Sequence, residues 1–162
     1  MMYSQKYCLA AFLNNVKNGH QFHMSEWPPH ITLVDVFAVN DLGSTTNTIE
    51  HSLKGFEPFD VTVLSDSVLG ETSVTLLDRS EQIVKLHTTL IDTIEAIGGV
   101  CNMPAFTRTG FLPHITIRQV SQLNEGDTAH ISSICLVDMF PGGDWRQRKV
   151  IATWHLTFLE AA

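Results

Sequence analysis

Residues 27–33 read Trp27-Pro28-Pro29-His30-Ile31-Thr32-Leu33, and residues 111–118 read Phe111-Leu112-Pro113-His114-Ile115-Thr116-Ile117-Arg118. The tetrapeptide Pro-His-Ile-Thr therefore occurs twice, each time followed by an aliphatic residue. In a strand, residues two apart point to the same face. His30 and Thr32 then share one face, while Ile31 and Leu33 point into an apolar layer behind. His114 and Thr116 repeat the arrangement. Proline lacks the N–H that a ladder needs, so Pro29 and Pro113 mark where each strand starts. Each copy presents an imidazole and a hydroxyl from a strand backed by core.

Working outward, the first motif strand is predicted over Ile31–Phe37 and is preceded by a strand over Tyr7–Leu13. Asn40–Lys54 reads as a helix, capped by Asn40 or Asp41, with Ile49, Leu53 and Phe56 on one face. Phe59–Leu69 and Thr72–Asp78 flank Gly70-Glu71 as a hairpin. Ser80–Ile97 carries the clearest helical period, with Ile83, Leu86, Leu90, Ile94 and Ile97 recurring every three or four residues. Asp78 with Glu81 fits a capping box, and Gly98-Gly99 supplies a stop. Leu112–Val120, Ile131–Phe140 and Val150–Leu159 read as further strands, with a turn at Pro141-Gly142-Gly143-Asp144. The order is β, β, α, β-hairpin, α, β, β, β. It indicates an α+β fold of mostly antiparallel sheet that looks duplicated, each half holding a helix and a Pro-His-Ile-Thr strand. No linker is visible, so residues 1–162 are expected to form one unit.

Composition narrows the function classes. The chain of 162 residues is 44% hydrophobic and 17% charged, a globular composition. Its 10 basic and 17 acidic residues give a formal charge of -7. That argues against nonspecific coating of nucleic acid, which rests on Lys and Arg neutralising phosphates. It leaves room for recognising one phosphate in a pocket. Cys8, Cys101 and Cys135 are odd in number and widely spaced, which disfavours a disulfide framework or a structural zinc site and suits a reducing cytoplasm. No stretch approaches a membrane span of about 20 apolar residues, and the early run Tyr7–Leu13 lacks a signal-peptide cleavage pattern.

Two imidazoles and two hydroxyls suit phosphodiester chemistry. One base must deprotonate the attacking oxygen, and one acid must protonate the leaving oxygen. Histidine can do either near neutral pH. Threonine hydroxyls could hold the non-bridging oxygens where charge develops. The scheme needs no metal or other cofactor. The shorter pattern His-x-Thr also occurs at His87 and His155. His87 falls in the helix, where positions two apart diverge. His155 lacks the preceding proline and is read as structural.

With these residues the chain resembles the 2H phosphoesterase superfamily, whose members carry two His-x-Thr/Ser-x motifs and include the RNA 2',3'-cyclic phosphodiesterases, also called 2'-5' RNA ligases. The Trp27–Leu33 stretch is similar to the first motif and the Phe111–Arg118 stretch to the second. Motif separation, chain length and element order also fit. The resemblance covers most of the chain in layout and about fifteen residues in detail. It implies a bilobal fold of two pseudo-symmetric lobes around a central groove. It also implies metal-independent opening of a 2',3'-cyclic phosphate, on RNA ends or small nucleotides, to a 2'-phosphate. In the reverse direction the same groups, with their roles exchanged, would join ends through a 2'-5' bond. His30 and His114 carry over as the catalytic pair, and Thr32 and Thr116 as phosphate ligands. The chain departs from many bacterial members in having its arginine directly after the motif and in being less basic.

Further candidates rest on placement. Arg118 shares the alternation of His114 and Thr116 and could bind phosphate, as could Arg108 in its Thr-Arg-Thr-Gly loop. Trp27 could stack on a base or pack the entrance to its strand. Phe111 reads as core. His51 and His87 read as solvated or boundary residues. His20, His23 and His30 form H-x₂-H-x₆-H, which matches no familiar zinc spacing. Arg146-Gln147-Arg148-Lys149 reads as a solvated loop. Two other function classes compete with the enzyme: a non-catalytic nucleotide or RNA-end binding module of the same fold, and a metal-dependent hydrolase using the histidine cluster. The expected form is a cytoplasmic monomer.

Overall fold

The structure is a computed structural model that describes residues 5–117 and 123–159. In chain order the strands are β1 (Lys6–Phe12), β2 (Gln21–His23), β3 (His30–Ala38), β4 (Phe59–Leu69), β5 (Thr72–Leu77), β6 (Val100–Cys101), β7 (His114–Thr116), β8 (Thr128–Ile131), β9 (Ser133–Asp138) and β10 (Gln147–His155). The helices are α1 (Leu42–Ser52) and α2 (Glu81–Ala96). The sheet runs β2-β10-β9-β1-β3-β7-β5-β4-β8, with β6 also on β3, and every pairing is antiparallel. The first motif strand therefore belongs to one half of the sheet and the second to the other, and the halves join at β3 and β7.

One face of this joint is core. Ile31 and Ile115 are fully buried with Leu33, Phe37, Val63 and Leu77. The apolar stripe of α2, formed by Ile83, Leu86, Leu90 and Ile94, lies in the same cluster. Burying a side chain of this size stabilises by roughly 1.5–3 kcal/mol, so the duplicated isoleucines anchor both motif strands from behind. A smaller cluster on Cys8, Phe12, Phe22, Cys135, Val137 and Val150 packs against Trp27.

The cap of α1 is one of the two expected from the sequence, whereas several other boundaries differ. Asp41 caps α1 by accepting from the Ser44 N–H, at 3.1 Å. α2 is capped by Ser80, whose hydroxyl accepts from the Ile83 N–H, and not by an Asp78–Glu81 box. Asp78 instead donates its N–H to the Thr62 carbonyl, at 2.8 Å, as the chain leaves β5. The second motif strand spans only His114–Thr116 of the expected Leu112–Val120, of which residues 118–120 lie outside the described residues. The expected strand Ile131–Phe140 is two strands. β8 pairs with β4, whereas β9 pairs with β1 and β10, and the chain changes partners at Ser132. The Ser132 carbonyl is taken by the Leu156 N–H, at 2.8 Å. β2 and β6, three and two residues long, are too short to show a period in sequence. Among the described residues no helix is long and apolar enough to cross a membrane.

Candidate active site

The register of the joint sets the site. Ile31 lies directly opposite Ile115 in the antiparallel pair β3–β7. His30 is thereby level with Thr116, and Thr32 with His114, on the face away from the core. The two motif strands are side by side, so the four side chains rise from the floor of one groove. On the other side of β7, Val74 pairs with Thr116 and Leu76 with His114. Thr72, two residues before Val74, comes to the same face.

Two clefts meet over this floor. One, of about 300 Å³, is lined by Met24, Trp27, Pro28, Pro29, His30, Thr32, Thr72 and Thr116. The second, of about 540 Å³, includes His114 and is walled mainly by apolar residues, among them Leu69, Phe106, Phe111 and Leu112. Thr32, Thr72 and Thr116 line both. No motif marks Thr72 in the sequence; only the β5–β7 register brings it in.

Both histidines are held alike. His30 Nδ1 donates to the Pro28 carbonyl at 2.9 Å, and His114 Nδ1 donates to the Leu112 carbonyl at 2.7 Å. A carbonyl only accepts, so each Nδ1 carries the proton. In the neutral ring Nε2 is then left with its lone pair. The proline before each histidine sets the strand entry that places this carbonyl two residues back. Burial pushes the His30 imidazole down to about 4, opposed by its bond to Pro28 and reinforced by the charge of His114. His30 is also stacked on Trp27, with ring centroids 4.3 Å apart and planes 28° apart. Phe22 meets the Trp27 ring edge-on, and Phe12 stacks on it. Trp27 lines the first cleft, yet its ring packs this aromatic cluster and orients His30.

Both motifs fall within a known family profile. That of the 2'-5' RNA ligase superfamily aligns with residues 9–132, which contain the two Pro-His-Ile-Thr strands. The chain belongs to the 2'-5' RNA ligase superfamily. Solved structures agree in fold. A phosphoesterase aligns with a TM-score of 0.62 at 14% identity, covering 96% of this chain and 100% of its own. Escherichia coli LigT, crystallised with NADP+, aligns at 0.60 and 14% identity over 97% of this chain and 100% of its own. TT0787 of Thermus thermophilus aligns at 0.60 and 14% identity over 93% of this chain and 97% of its own. No curated protein matches in sequence. Membership in this superfamily supports phosphoesterase activity as a class.

The remaining candidates fall elsewhere. Arg118 lies outside the described residues. Arg108 does not reach into the groove: its guanidinium pairs with Asp92 at 2.8 Å and Glu95 at 2.9 Å on α2. His87 is 1% exposed and so is neither solvated nor a boundary residue. Its Nδ1 donates to the Leu33 carbonyl at 2.6 Å, and its Nε2 accepts the Arg108 N–H at 2.9 Å. Leu33 is the extra residue of a bulge in β3, where Leu9 and Ala10 oppose Val34 and Thr32. The bulge frees the carbonyl that His87 takes. Among the described residues no three His, Cys, Asp or Glu side chains converge on a metal position, so the H-x₂-H-x₆-H spacing does not become a cluster.

Proposed function

We propose that this member of the superfamily opens 2',3'-cyclic phosphates to 2'-phosphates without a metal, using His30 and His114 as its acid–base pair. The observation that carries the reading is the Ile31–Ile115 pairing, which puts two identically tethered imidazoles and two threonines on one face. The water oxygen bonds to phosphorus as the bond to the 3' oxygen breaks. One Nε2 takes a proton from the water, and the other gives a proton to the departing 3' oxygen. Burial keeps His30 neutral near pH 7 in the free protein, so His30 is the acceptor and His114 the donor. The hydroxyls of Thr32 and Thr116 hold the non-bridging oxygens, where transition-state charge gathers. A 5'-hydroxyl in place of water would yield a 2'-5' diester with the same proton transfers. LigT, similar in fold, has been crystallised with 3'-AMP, ATP and NADP+, which supports a nucleotide as the ligand here.

The test is turnover of 2',3'-cyclic mononucleotides with EDTA present, beside His30→Ala and His114→Ala. A 2'-phosphate product that survives EDTA and is lost in both variants is expected. Each positioned proton donor or acceptor contributes about 10²–10⁴-fold. Nucleotide binding without turnover would instead make the chain a binding module, and EDTA-sensitive turnover would make it a metallohydrolase.

A further inference from the structure

A third cleft, of about 480 Å³, lies away from the motif strands and shares no lining residue with the two clefts above them. It forms where the chain leaving α1 meets the start of α2. Lys54 and Phe56 come from the first, and Gln82 and Lys85 from the second. The apolar stripe of α2 packs on the core face of the sheet with Ile31 and Ile115. The motif side chains rise from the other face, so this cleft and the catalytic groove lie on opposite sides of the sheet. Gly55, at a φ of 92°, turns the chain out of α1. Phe56 then lies under Lys85, whose ammonium is 5.9 Å from the ring centre.

The polar groups of this cleft are mostly donors without acceptors. Among the described residues, neither the Lys54 nor the Lys85 ammonium makes an ion pair or a hydrogen bond. The side-chain amide of Gln82 is exposed and likewise makes no hydrogen bond among the described residues. The one carboxylate lining the cleft, that of Glu57, accepts the Leu159 N–H at 2.7 Å and pairs with neither lysine. Phe56, Pro58 and Leu159 give the cleft an apolar side. In a chain of charge -7, two cations without counterions line one concavity beside an apolar wall.

We infer that this cleft is a second ligand site, separate from the catalytic groove, for a phosphate monoester with a small apolar body. Lysine binds phosphate as a point charge on a flexible stem. A monoester carries about -1.5 to -2 charges near pH 7 and three terminal oxygens, which match two ammoniums and one amide N–H. A carboxylate brings a single charge and two oxygens, and so leaves one of these donors without a partner. The apolar body packs on Phe56 and Leu159.

The test titrates phenyl phosphate, benzoate and inorganic phosphate into the whole protein while backbone amide shifts are followed by NMR. Phenyl phosphate is expected to move the amides of Gly55 and Gln82 with a Kd near about 1 mM, the range for a ligand of about eleven heavy atoms. Its affinity should fall as salt rises from about 50 to 200 mM. Benzoate, with less charge, and inorganic phosphate, with no apolar body, should each bind there at least about fivefold more weakly. Lys54→Met and Lys85→Met keep the apolar stem and remove the charge. Each should weaken phenyl phosphate at Gly55 and Gln82 by about five- to tenfold, with its effect on the His30 and His114 signals unchanged. Turnover of a 2',3'-cyclic nucleotide should also be the same in both variants as in the wild type, so the proposed reaction and this site stand or fall separately. Shifts confined to the catalytic groove would overturn the inference. So would wild-type affinity in both lysine variants, or benzoate or inorganic phosphate binding at Gly55 and Gln82 as tightly as phenyl phosphate.

Discussion

The imidazole of His87 lies flat on the ring of Phe111, with centroids 3.9 Å apart and planes 3° apart. Phe111 leads into the second motif, and the Leu33 carbonyl bonded by His87 directly follows the first. His87 thus ties both motif strands together beneath the groove. Its replacement by alanine would leave a buried carbonyl and the Arg108 N–H without a partner, besides opening a cavity. A loss of about 3 kcal/mol or more is expected, read from the denaturant midpoint.

The same ring makes stability pH-dependent. Burial holds its pKa below the ordinary value, opposed by the Leu33 bond and reinforced by Arg108 and Arg79. The unfolded chain therefore binds this proton more readily. The stability His87 supports is intact above about pH 6.5 and is lost as pH falls toward its folded pKa. Protonated Nε2 would also point a donor at the Arg108 N–H. The wild type should lose stability across this range more steeply than His87→Gln; equal slopes would remove the ring from the account.

His30 should titrate near 4, followed by NMR at the ring protons. Trp27 covers one of its faces, so Trp27→Ala should admit water and raise the pKa toward about 6.5. His30 contributes to stability in the same sense as His87. Full stability holds above about pH 6.5 and declines as pH falls toward about 4. An unmoved pKa in Trp27→Ala would mean that burial by other groups sets it.

Much of this site can be read in the chain because strand alternation is local. Pro29-His30-Ile31-Thr32 and its copy fix which side chains share a face whatever the sheet around them. The long period of α2 and the Gly70 turn are legible for the same reason. What cannot be read depends on partners distant in sequence. Ile131–Phe140 is continuous in hydrophobicity, and only its separate pairings with β4 and with β1 split it. Thr72 is an ordinary strand residue until β7 lies beside β5. His87 reads as a helix-surface residue because nothing in sequence announces the bulge at Leu33.

Gly110 controls the wall of the second cleft. A Cβ there would stand 1.9 Å from the Ala105 carbonyl oxygen and 2.9 Å from its carbon. Backbone cannot yield as a side-chain tip does, so Gly110→Ala must displace the segment that carries Phe106. A loss of about 1–3 kcal/mol in stability is expected from the overpacking, with a higher KM for the nucleotide. Gly43→Ala is the control. It lies in α1, where the added Cβ meets only Asp41 Oδ1 at 3.5 Å, and it should stabilise by about 0.5–1 kcal/mol.

The roles of the two histidines separate by leaving group. A departing 3' alkoxide needs a proton, whereas p-nitrophenolate does not. If His114 donates that proton, His114→Ala should lose about 10²–10⁴-fold on the cyclic nucleotide and far less on a p-nitrophenyl phosphodiester. His30→Ala, lacking the acceptor for the proton of water, should lose a similar factor on both substrates. The reverse pattern would exchange the two roles, making His30 the donor once substrate charge has raised its pKa. If Thr32 and Thr116 hold the non-bridging oxygens, Thr32→Ala and Thr116→Ala should lower kcat on both substrates by about 10²-fold, because those oxygens carry the developing charge whichever group departs.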